Sequence, residues 1–151
     1  MVRKKALALS ILLAIACVPA FGSDCDDLTI SKDGQQTTCC VADTAWGTVY
    51  NSGSATQLAC FSVWMTYSWN LATVSLSFGD DSDSWDGKDD LVTACDYVGA
   101  DSSEEWQLVC TRDDWGDDAG ATLVISYPCP RNQWLTKSVT VHWQQVCNCG
   151  G

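Results

Sequence analysis

The sequence predicts an all-β fold: an antiparallel sandwich of about eight strands, stapled by disulfides. Three observations predict it. Short segments alternate apolar and polar residues with period two. Turn-forming clusters separate them at short intervals. Ten cysteines occur in only 151 residues, and no long helical periodicity runs through the chain.

Each strand rests on the same reasoning. Successive side chains of a strand point to opposite faces, so a half-buried strand alternates strictly. Phe61, Val63, Met65 and Tyr67 alternate with Ser62, Thr66 and Ser68. Val74, Leu76 and Phe78 alternate with Ser75 and Ser77. Trp106, Leu108 and Cys110 form a third set, Leu123, Ile125 and Tyr127 a fourth, and Val139, Val141 and Trp143 a fifth. The punctuation is Lys32-Asp33-Gly34, Asn51-Ser52-Gly53, Asp86-Gly87 and Trp115-Gly116.

Arg3, Lys4 and Lys5 precede the apolar run Ala6–Ala16, and Ala20-Phe21-Gly22 offers a cleavage site. This reads as a secretory signal peptide over 1–22, with a single domain over 23–151. Lipoprotein processing at Cys17 is the weaker alternative, because Ala14 stands where a leucine is usual. Without residues 1–22 the chain keeps all 19 acidic residues and loses three basic ones, so its net charge falls from −11 to −14. Such a surface repels nucleic acid, and it repels anionic membranes unless something neutralises it locally. A secreted location and nine remaining cysteines imply a disulfide framework with one thiol left over, free or intermolecular. Zinc is the rival use, but Cys39-Cys40 and Cys147-x-Cys149 lack the usual CxxC spacing.

The acidic stretch from Phe78 to Leu91 needs an explanation. Asp80, Asp81, Asp83, Asp86, Asp89 and Asp90 repel one another unless a cation or free solvent separates them. Calcium takes six to eight oxygen ligands, which loop carboxylates supply. The spacing is not that of an EF-hand, because Trp85 interrupts it and Val92 stands where the bidentate glutamate belongs. Counting alternate strand directions places this loop, the loop at 112–120, the turn at 51–57 and Asp24, Asp26 and Asp27 at one end of the sandwich.

The stretch LSFGDDSDSWDGKDDLVTAC resembles the third calcium-binding loop of the C2 domain, most closely the extracellular form at the C-terminus of perforins. The matching places are Asp81 and Asp83, then Trp85, then Asp89-Asp90-Leu91, then Cys95. EEWQLVC and ATLVISYPCP resemble the strands that follow, with Cys110 and Cys129. LTISKDGQQTT and WGTVYNSGSA are more loosely similar to a second strand and a second loop, so the likeness covers about residues 24–130. It implies a C2-like sandwich with calcium held by Asp81, Asp83, Asp89 and Asp90. Asp24 or Asp26 stands in for the family's first loop, which this chain lacks. It also implies a Cys95–Cys110 bond, and KSVTVHW in the vacated first-strand place, a permutation at the termini. Cys129 is expected to pair with Cys147 or Cys149.

The expected function is therefore calcium-dependent docking on membrane lipid, with Trp85 and Trp115 at the membrane. The alternative is a secreted structural, mineral- or carbohydrate-associated acidic protein. Catalysis is not expected. His142 is the only histidine, and no Ser/His/Asp or Cys/His signature surrounds it. Trp64, Trp69, Trp106, Trp134 and Trp143 lie in or near strands and are expected in the core or half in it.

Overall fold

A computed structural model describes residues 26–66, 71–85, 91–113, 115, 118–129, 133–144, 147 and 149. The expected Tyr67, Trp69, Asp24, Asp89 and Asp90 fall outside these residues. Ten strands form two antiparallel sheets packed face to face. They are β1 (Leu28–Ile30), β2 (Gly34–Thr38), β3 (Ala42–Asn51), β4 (Gln57–Met65), β5 (Leu71–Phe78), β6 (Asp81–Trp85), β7 (Val92–Val98), β8 (Ser102–Arg112), β9 (Ala119–Cys129) and β10 (Gln133–Trp143). Sheet A runs β1-β3-β8-β5-β6, with β2 also paired to β3, and sheet B runs β10-β9-β4-β7.

The alternating segments become the core. Phe61 and Val63 of β4, Val74, Leu76 and Phe78 of β5, Trp106, Leu108 and Cys110 of β8, and Leu123, Ile125 and Tyr127 of β9 are all buried. Phe61 meets Phe78 edge-on, with ring centroids 4.9 Å apart, so an aromatic pair bridges the two sheets. Trp106 and Trp143 are buried too, and each donates its indole N–H to a backbone carbonyl, of Ser31 and Thr44 respectively. Trp64 and Trp134 are not core residues: each is 60% exposed on the outer face of sheet B. Period two assigns them to the face opposite Phe61 and Leu135, and the outer face is solvent.

One strand goes unseen in the sequence. Asp81–Trp85 was expected as loop but forms β6, hairpinned to β5 through Gly79. Gly79 holds φ +55°, and a Cβ there would run into the Asp96 carboxylate. The extra strand reverses the direction of the chain. β6 therefore ends, and β7 begins, at the end of the sandwich where β8 stops at Arg112. Asp26, Asp27 and the 52–56 turn lie at the opposite end. The acidic clusters do not all converge.

The disulfides also differ from expectation. Cys95 pairs with Cys60 across β4 and β7, not with Cys110. Cys147 pairs with Cys39 and Cys149 with Cys40, so Cys129, itself disulfide-bonded, takes neither. Cys110 points inward from β8, away from any partner sulfur. It is the free thiol among the described residues, buried, with burial pushing its pKa far up.

Candidate functional site

The aspartates of β6 act on the neighbouring strand. Asp81 and Asp83 share the inward parity with Trp85 and reach across the open edge of the sandwich to β7. The Cys95 N–H donates to Asp81 at 2.8 Å, and the Thr93 N–H donates to Asp83 at 3.0 Å. Asp96 of β7 returns the contact by accepting from the Asp80 N–H at 2.6 Å. These carboxylates cap N–H groups of an edge strand that has no further β partner. A charged acceptor strengthens each bond. Trp85 closes the same edge from inside and is 7% exposed, so it is a core residue rather than a membrane contact. The ring completes the inward row of Asp81 and Asp83.

The opposite edge is closed in the same manner. Lys137 of β10 donates to the Leu28 carbonyl and to Asp26, and Gln35 donates to the His142 carbonyl at 2.8 Å. Asp26 also accepts from the Tyr127 hydroxyl. Hydrogen bonds from Lys137 and then Tyr127 hold the Asp26 carboxyl below its ordinary pKa. The same carboxylate, with burial the larger cause, pushes Tyr127 up to about 12. A depressed carboxyl stabilises the fold above its unfolded pKa, and this is lost as pH falls through the folded value. Asp26→Asn is expected to lessen the loss of melting temperature on acidification below about pH 4. An acid limb of unchanged slope refutes the contact.

Trp115 is half-buried, with the Arg112 guanidinium 5.1 Å from its ring centroid. Arg112 is itself buried against Asp43. His142 lies 3.2 Å from Asp118 at the surface, and no nucleophile joins that pair among the described contacts. No group of three or more His, Cys, Asp or Glu is placed to hold a metal among the described residues.

Two surfaces remain. On sheet B the outward positions form rows across the strands. Thr136, Ser126, Cys60 and Cys95 make one, and Ser138, Val124, Ser62 and Thr93 the next. Trp134 beside Pro128, and Leu58 beside Tyr97, lie above them, with Trp64 beside Thr122 below. Trp64, Trp134 and Tyr97 are 60%, 60% and 63% exposed. Apart from His142, every outward position of these four strands is uncharged. On sheet A a groove of about 380 Å³ crosses β3, β8 and β5, lined by Trp46, Thr48, Ser77, Glu105, Gln107 and Asp33 among others. The alternation of β3 could have revealed Trp46 and Tyr50 as outward aromatics, since Val49 and Ala45 fix the inward parity.

No family model matches the chain, and no curated protein matches it in sequence. Solved structures similar in fold include the following two. One is AvmM, which catalyses macrocyclization in alchivemycin A biosynthesis; the TM-score is 0.45 at 10% identity, over 80% of this chain and 90% of that one. The other is ACE19, the collagen-binding subdomain of the Enterococcus faecalis surface protein ACE; the TM-score is 0.47 at 10% identity, over 80% of this chain and 98% of that one. Likeness at this level does not bear on ligand or activity. The class is a disulfide-stapled antiparallel β-sandwich.

Proposed function

We propose that this protein is a secreted, non-catalytic binding module that lies face-on against a neutral polysaccharide. The carrying observation is the uncharged outer face of sheet B with its three exposed aromatics. The chain has 19 acidic residues, yet among the described residues none takes an outward position on those four strands. A neutral face loses its water at no ionic desolvation cost. Its serines and threonines both donate and accept, as sugar hydroxyls do. Trp64, Trp134 and Tyr97 supply apolar rings with a polar tip, suited to the C–H face of a sugar. Most of the acidic charge stands elsewhere, at loops, edges and the other sheet, where it keeps copies of the chain apart. Disulfides fit an extracellular setting.

Calcium-dependent lipid docking is the competing reading. It draws on Asp81 and Asp83, which already accept from β7 amides, together with Asp89 and Asp90, and it relies on Trp115 without Trp85. One experiment separates the two. The mature protein is incubated with insoluble cellulose, chitin and β-glucan, and separately with anionic liposomes, with and without millimolar calcium. Depletion onto at least one polysaccharide is expected without calcium and with little loss at 1 M salt, about where the Debye length shrinks to 3 Å. A Trp64→Ala, Trp134→Ala, Tyr97→Ala variant with an unchanged melting temperature should bind roughly tenfold or more weakly, since each lost aromatic contact is worth about 1 kcal/mol. Calcium-dependent liposome binding with no polysaccharide retention reverses the assignment.

A further inference from the structure

We infer that the groove on the outer face of sheet A is a second, concave binding site that takes a short neutral oligosaccharide. It is independent of the sheet B face, because the two lie on opposite sides of the sandwich. Its volume of about 380 Å³ falls within the range of small-molecule sites, about 300–1,000 Å³.

The registers build the groove. Trp46 of β3 stands beside Gln107 of β8, which stands beside Ser77 of β5. One row further along, Thr48 stands beside Glu105. Adjacent strands lie about 4.8 Å apart, so the row from Trp46 to Ser77 spans roughly 10 Å. Trp46 has its support built in. The indole occupies the space above Gly34 of β2, where a Cβ would meet ring atoms at 2.4 and 2.6 Å. Gly34 thus seats the ring at one wall of the groove. Asp33 and Thr48 are held in place through Ser31, whose hydroxyl lies 2.7 Å from Asp33 and 2.9 Å from the Thr48 hydroxyl.

The lining chemistry selects the ligand. No lysine or arginine lines the groove, and Glu105 and Asp33 repel carboxylate, sulfate and phosphate. An apolar ligand would strand the Gln107 amide and the Ser77 hydroxyl without partners. One indole face, an amide, two hydroxyls and two acceptor carboxylates match a ring with one C–H face and several hydroxyl donors. An organic ammonium ion is the rival, since it too favours an indole and carboxylates.

Titration calorimetry and tryptophan fluorescence test the site, with cello-, chito- and β-gluco-oligosaccharides of three to six units and with tetramethylammonium as separate probes. The expected result is saturable binding of one oligosaccharide series at millimolar concentrations or tighter. It should weaken at least tenfold in Trp46→Ala and several-fold in Gln107→Ala, and persist in the sheet B triple variant. Gly34→Val, which keeps Trp46 but pushes its ring aside, should weaken binding as well. Conversely, Trp46→Ala should leave retention on solid polysaccharide unchanged, so the two sites fail separately. Binding of tetramethylammonium alone, oligosaccharide binding indifferent to Trp46, or no binding of any oligosaccharide overturns the assignment.

Discussion

Replacing Asp43 by alanine is expected to destabilise the protein by about 3–5 kcal/mol, the cost of removing one partner of a buried ion pair. Asp43 and the Arg112 side chain are almost fully buried, with Arg112 Nε against Asp43 Oδ2. The other carboxylate oxygen accepts the Thr37 hydroxyl at 2.6 Å, so Asp43 joins β2, β3 and β8 at one end of the sandwich. Trp115 lies over the guanidinium and extends the cluster into the following loop. Without Asp43 the guanidinium keeps its charge and loses this buried carboxylate. For a domain of this size the melting temperature should fall by about 10 °C or more. Asp43→Leu combined with Arg112→Met should cost less than Asp43→Ala alone, because the buried pair is then replaced by apolar side chains rather than halved. A single-variant loss below about 1 kcal/mol would mean that solvent reaches the pair, and would sink the assignment.

The same cluster shows what a sequence hides. Asp43 breaks no alternation, since the inward row Asp43, Ala45, Gly47, Val49 is regular, but nothing near it in sequence names Arg112, 69 residues away. Alternation was legible wherever side-chain burial decides it: the inward rows of β4, β5, β8, β9 and β10 are those expected. The odd cysteine count foretold a leftover thiol but not which one, because pairing depends on strand order. Cys95 meets Cys60 only because β7 lies beside β4 rather than beside β8. β6 was hidden because aspartate is a poor strand former. Asp81, Ser82, Asp83, Ser84, Trp85 alternates by size and face, and the β7 amides offset the cost of that composition. Missing this one strand inverted the assignment of ends and brought acidic clusters together that the fold keeps apart. The exposed Trp64 and Trp134 were misassigned for a different reason. Period two tells faces apart without saying which face is covered, and hydrophobicity alone chose wrongly.

The two disulfides at that end carry the second large effect, and it should be strongly non-additive. Cys39–Cys147 and Cys40–Cys149 each close a loop of more than a hundred residues, with separations of 108 and 109. Loop-closure entropy assigns either bond alone about 5 kcal/mol. They join the same two segments, however: adjacent residues of the β2–β3 turn on one side and residues two apart beyond β10 on the other. Once one bond holds, the unfolded chain is already closed, and the second removes little further freedom. Native contacts already bring these segments together, since Gln35 of β2 donates to the His142 carbonyl of β10. Cys39→Ala/Cys147→Ala or Cys40→Ala/Cys149→Ala should therefore cost about 1 kcal/mol each. The quadruple variant should cost about 5 kcal/mol, well beyond their sum, a coupling of about 3 kcal/mol at the top of the ordinary range of about 0.5–3 kcal/mol. By contrast, Cys60–Cys95 spans 35 residues with no parallel bond among the described pairs, and its removal should cost about 3–4 kcal/mol by itself. Urea unfolding of the four variants measures these differences. If either terminal pair alone costs as much as Cys60–Cys95, the two bonds do not constrain the same loop and the pairing is wrong. If the quadruple variant costs only the sum of the two, each bond acts locally, holding its own turn rather than the unfolded ensemble.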